Sequence, residues 1–127
     1  MLDPEVEARY EALYEGTKAR VRPVGDALLE MVIGLGDDVE VGVTNLYVSM
    51  ATPDGQFGLF FPASGRRVTL RLRLMGMAKP RGRFQSTADR APEGRFDMRA
   101  YLGHVDHVDN DVRAMLRRAR DLSAMRG

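Results

Sequence analysis

Residues 67–74 read Arg-Val-Thr-Leu-Arg-Leu-Arg-Leu, and this strict alternation is the pattern that most limits the fold. Side chains on a β-strand point to opposite faces in turn, so Val68, Leu70, Leu72 and Leu74 share one side, and Arg67, Thr69, Arg71 and Arg73 share the other. A slip of one residue would bury the arginines, so the register is fixed by the need to cover the apolar side. The chain must therefore build a sheet with one face covered and one face carrying guanidinium groups.

The neighbouring sequence supplies partners for that strand. Val39, Val41 and Val43 alternate with Glu40, Gly42 and Thr44, and turn signals at Pro53-Asp54-Gly55 and Pro62–Gly65 separate further β-prone runs. Strands are expected at about 39–44, 46–51, 56–61, 67–74 and 95–102. Helices are expected on both sides of this run. Asp3-Pro4-Glu5 is a helix start, with Val6, Tyr10 and Leu13 on one face, which predicts a helix over about 4–15. Val24, Leu28, Met31 and Leu35 predict a second over about 18–35, with Thr17 as its cap; Pro23 means that it either starts near Arg22 or kinks there. Val108, Val112, Met115, Leu116, Ala119 and Leu122 predict a third over about 109–124, with acids at its start and arginines at its finish. The expected fold is α+β: a single antiparallel sheet of four to five strands, with N-terminal helices and a C-terminal helix packed on one face. At 127 residues, with no linker or repeat, the chain is expected to form a single domain over 1–127. The segment 75–94 lacks a sustained period, and 79–93 is expected to be its least ordered part.

Charge is unevenly spread. Residues 1–65 hold 4 Lys/Arg against 11 Asp/Glu, residues 66–99 hold 10 against 3, and residues 100–127 hold 5 against 4. The chain thus runs from a net −7 to a net +7 segment and ends near neutral. Arg67, Arg71 and Arg73, joined by Arg95 and Arg99 if those strands are neighbours, could hold phosphate or carboxylate bidentately. The same groups could instead pair with Glu30, Glu40 or Asp97, or be covered by a second subunit. Arg81 and Arg83, in Lys79-Pro80-Arg81-Gly82-Arg83, could add a phosphate-binding loop. Nucleic acid is not favoured, because single-strand platforms interleave exposed aromatics, and the outward position between the arginines is Thr69.

The chain has no cysteine, which removes disulfides, thiolate metal sites and a cysteine nucleophile. The closest approach to a metal cluster is His104, Asp106, His107 and Asp109, but acids at a helix start already serve as caps, so no metal and no cofactor are expected. Phosphate-loop, dinucleotide-turn, nucleophile-elbow and zinc-helix motifs are all missing. Phe57, Phe60 and Phe61 are read first as core, with a ligand cavity or dimer contact as the alternative; Phe60 and Phe61 cannot face the same side. The acidic start lacks the features of an export signal, and no stretch reaches the ~18 apolar residues of a membrane span, so the expected setting is cytoplasmic with no membrane partner.

Four passages bear a family resemblance: Gly34-Leu35-Gly36-Asp37-Asp38-Val39-Glu40-Val41, Phe57-Gly58-Leu59-Phe60-Phe61, Val68-Thr69-Leu70-Arg71-Leu72, and Val108 to Ala119. Through them residues 17–122 resemble the bacterial family numbered fifty-six fifty-five among domains of unknown function. Members often carry a lysine in the first hairpin, where this chain has Asn45 or Leu46, and a tyrosine where this chain has Arg120. The resemblance implies a small α+β domain and supplies no catalytic residues. The favoured reading is a binding or protein-interaction module, non-enzymatic and self-associating, that meets an unknown protein or small anionic ligand. The alternatives are phosphate or nucleic-acid binding through 66–99, and a small-molecule enzyme built on the His104–Asp111 junction.

Overall fold

The computed structural model describes residues 3–87 and 96–124. Helix α1 (Pro4–Leu13) begins where Asp3 Oδ1 accepts the Val6 N–H at 2.9 Å, satisfying one of the orphan donors of a helix start. A tight 3₁₀ turn, Gly16–Val21, then leads directly into helix α2 (Arg22–Ile33). The second helix is thus shorter than the expected 18–35. Pro23 sits in its first turn, where the missing N–H costs no helical bond, and Thr17 lies inside the 3₁₀ turn rather than acting as a cap.

Six strands follow: β1 (Glu40–Val43), β2 (Val48–Thr52), β3 (Gly55–Ser64), β4 (Arg67–Leu72), β5 (Phe84–Ser86) and β6 (Met98–Leu102). They form one antiparallel sheet in the order β1-β2-β3-β4-β6-β5. The sheet therefore has one strand more than the four to five expected. The extra one, β5, lies inside the 75–94 segment and is three residues long, too short to leave an alternation that a sequence reading can detect. Residues 88–95, with Arg95 and positions 88–93 of the 79–93 stretch, fall outside the described residues. The second strand starts two residues later than expected because Thr44 Oγ1 accepts the N–H groups of Leu46 and Tyr47, at 3.1 and 3.0 Å, and ties 44–47 into a turn.

The alternation on β4 resolves as the sequence requires. Val68, Leu70 and Leu72 are fully buried, and with Val48, Met50, Phe60, Met98 and Leu102 they form one wall of the core. Tyr10 and Leu13 of α1, Val24, Leu28 and Val32 of α2, and Val112, Met115, Leu116, Ala119 and Leu122 of helix α3 (Asn110–Ala124) form the other. Phe57 escapes the alternation. Met50 pairs with Gly58 and Ala51 with Gln56, so Phe57 is the extra residue of a β-bulge, which lets it reach the core although Leu59 and Phe61 point away. Gly58 completes that arrangement: a Cβ there would lie 2.6 Å from Met50 Cε and 2.8 Å from the Arg71 carbonyl oxygen.

Two polar ties hold α3 in place. Arg120 donates from Nε and from a terminal nitrogen to Asp38 Oδ1, at 3.2 and 2.8 Å, joining the helix to the turn before β1. Ser123 Oγ lies 2.9 Å from Thr52 Oγ1 and donates to the Gly55 carbonyl at 3.0 Å, pinning the β2–β3 hairpin. Among the described residues no helix is long and apolar enough to cross a membrane.

Candidate functional site

With its helical layer on one side, the sheet leaves the opposite face to the second set of alternating side chains. Register places Leu59 of β3 beside Arg71 of β4, and Arg71 directly opposite Arg99 of β6. One step along, Phe61, Thr69 and Tyr101 lie in a row across the same three strands. Thr69 is buried between the two rings' positions at 4% exposure, so the open face is not a threonine surface but an aromatic one flanked by cations.

Tyr101 organises those cations. The Arg67 guanidinium carbon stands 3.9 Å from the ring centroid and that of Arg99 4.7 Å, within cation–π range. Arg99 also donates to Gln85 Oε1 of β5 at 3.2 Å. Its Nε is buried and has no hydrogen-bond partner. Like charges directly opposite on a sheet oppose pairing, and a buried N–H without an acceptor costs on the order of 1–3 kcal/mol. The buried Arg99 Nε is thus a donor that the described residues leave without an acceptor.

The other basic candidates are placed differently. Arg73 follows β4, and its backbone N–H donates to the Phe57 carbonyl at 2.8 Å. Arg81 reaches Asp111 Oδ1 of α3 at 3.4 Å and so belongs to the helix start rather than to the sheet face. Arg83 is exposed immediately before β5. Asp97, one of the acids able to answer the arginines, is engaged elsewhere: its two carboxylate oxygens accept the backbone N–H groups of Leu74 and Gly76, at 2.6 and 2.8 Å.

The His104–Asp109 stretch is a capped junction. His104 Nδ1 accepts the Asp106 N–H and His107 Nδ1 accepts the Gly103 N–H, each at 3.0 Å, around a 3₁₀ turn at Val105–His107. Asp109 Oδ1 accepts the Val112 N–H at 3.1 Å and caps α3. Among the described residues no three His, Asp or Glu side chains gather as metal ligands.

At the β1–β2 turn end, the open face deepens into a groove of about 550 Å³. Tyr47, Leu59, Phe61 and Leu46 line it together with Lys18 and Arg71. Sequence reasoning missed Tyr101 and this groove. Tyr101 was legible, since it lies two positions from Arg99 on a period-two strand; the groove was not, because Lys18 and Leu46 are brought to Arg71 only by the fold.

These features define an α+β domain with one helix-covered and one open, arginine-bearing sheet face. The chain belongs to the family described as domain of unknown function DUF5655, whose model matches residues 10–123. The match corrects the extent of 17–122 taken from the four passages, for it begins at Tyr10 and so includes the last four residues of α1 and the buried pair Tyr10 and Tyr14. The chain matches no curated protein and no solved structure.

Proposed function

We propose that the domain is a non-enzymatic protein-interaction module whose open sheet face receives an acidic segment of a partner protein. The observation that carries this reading is Arg71 directly across from Arg99 on a face without helices, with Arg67 and Arg99 grouped on Tyr101. Arginine forks match carboxylates bidentately, and a carboxylate beside Arg99 gives its buried Nε an acceptor. A nucleic-acid platform is less well supported, since base stacking needs aromatic faces free of other groups, and Tyr101 is flanked by two guanidiniums.

The test is fluorescence anisotropy with a labelled glutamate-rich peptide and, in parallel, a labelled oligothymidine of similar charge. Peptide binding should weaken as salt rises, and an Arg67→Ala, Arg99→Ala double variant with an unchanged melting curve should lose roughly tenfold or more in affinity. Absence of peptide binding, or binding of the oligothymidine alone, would replace this reading.

A further inference from the structure

We infer that the groove at the β1–β2 turn is a small-molecule site for an aromatic or aliphatic organic anion, a flat apolar body bearing one carboxylate or equivalent group. It adjoins the Arg71–Arg99 pair, Arg71 being common to both, but its own walls and Lys18 lie toward the β1–β2 turn, so it can be tested apart from the protein partner proposed above. Its volume of about 550 Å³ falls within the roughly 300–1,000 Å³ of typical ligand pockets. The walls are Tyr47, Leu59, Phe61 and Leu46, side chains that stack or pack on a ring. Leu46 is 75% exposed at a turn tied down by Thr44, so its side chain is open to a ligand at the edge of the groove.

Charge selects the ligand's polar end. Lys18 and Arg71 line the groove, and no carboxylate among the described residues does. Lys18 comes from the 3₁₀ turn Gly16–Val21 and forms no ion pair with a described residue. A neutral acceptor would gain a hydrogen bond at most, whereas an anion held on the aromatic floor also gains the charge of Lys18, with the Arg71 side chain beside it.

The test uses the full chain in amide-detected NMR titrations with naphthalene carboxylate and its neutral counterpart, naphthylmethanol. The carboxylate should shift amides of residues 18, 45–47, 59–63 and 71, and should bind more tightly than the alcohol. Lys18→Ala, an exposed substitution, should weaken the carboxylate by roughly tenfold, the value of one charge-assisted contact, and leave the alcohol within twofold. Leu46→Ser should weaken both. Arg67→Ala, which lies on Tyr101 and outside the groove, should leave both unchanged while it impairs binding of the acidic peptide, so the two sites fail separately. Shifts confined to other residues, no saturable shift up to the probe's solubility, or equal effects of Lys18→Ala on the acid and the alcohol would each overturn the inference.

Discussion

Gly25→Ala tests how α1 is locked onto α2, because two effects of opposite sign meet at one carbon. Alanine is the better helix former by about 0.8–1.0 kcal/mol, and Gly25 lies within α2, so local propensity alone makes the substitution stabilising. The packing says otherwise. A Cβ at Gly25 would lie 2.0 Å from Tyr14 Oη, 2.5 Å from Tyr14 Cζ and 2.9 Å from Tyr10 Oη, whereas ordinary contact begins near about 3.5 Å. Tyr14 would have to retreat by roughly 1.5 Å. It is 3% exposed and packed 5.1 Å, centroid to centroid, from Tyr10. Tyr10 is itself held by a 2.9 Å hydrogen bond from its hydroxyl to Asp26 Oδ1. With no room to move, overpacking at the upper end of about 1–3 kcal/mol outweighs the helical gain. The expected net loss is about 2 kcal/mol, a fall of roughly 8 °C in Tm for a domain of this size, measured by thermal and urea melts followed by circular dichroism. Tyr14→Phe in the same background should recover part of the loss. Alone it should be neutral or mildly stabilising, since the Tyr14 hydroxyl is buried without a hydrogen-bond partner. A Gly25→Ala variant more stable than the parent would refute the reasoning.

The same tyrosines set the alkaline limit. Burial, above all, pushes Tyr14 up to about 12 and Tyr10 further still from the ordinary 10.0, the Tyr14 charge and the Asp26 carboxylate adding to the shift of Tyr10. The folded chain therefore retains two protons that the unfolded chain releases, so their contribution is intact below pH 10 and is lost as the pH rises above it. Between pH 10 and 12 stability should fall by about 2 kcal/mol per pH unit on average, steepest near pH 11. Urea melts across that range should show this slope flattened in a Tyr10→Phe, Tyr14→Phe variant, and an equal slope in both proteins would contradict it. Asp97→Ala should cost about 3 kcal/mol, because it strips the acceptor from two backbone donors, and it should speed amide exchange at Leu74 and Gly76. Exchange unchanged at those two sites would show that Asp97 does not hold them.

How much of this was legible in the sequence depended on whether the deciding contact was local. Period two on Val68, Leu70 and Leu72, and the Asp3-Pro4 cap, act within a few residues, so the strand face and the helix start were readable directly. Phe57 was misleading as a period because a bulge set by its partner strand turns it inward, and the partner, Met50–Ala51, carries no mark of that in its own sequence. Asp97 illustrates the same limit for function. By alternation it stands beside Arg95 and Arg99, a natural counter-ion for the arginine face, yet in the fold it is buried at 6% exposure under the turn after β4. That turn contains Met75 at φ 53°, a left-handed conformation that costs a non-glycine residue on the order of 1–2 kcal/mol. The carboxylate that holds the Leu74 and Gly76 N–H groups on either side of Met75 stabilises that strained residue, and so is withdrawn from the sheet face. The polarity of the open face is therefore in part a consequence of a backbone need: with Asp97 committed to the turn, it is withdrawn from the face on which Arg71 and Arg99 stand opposite each other.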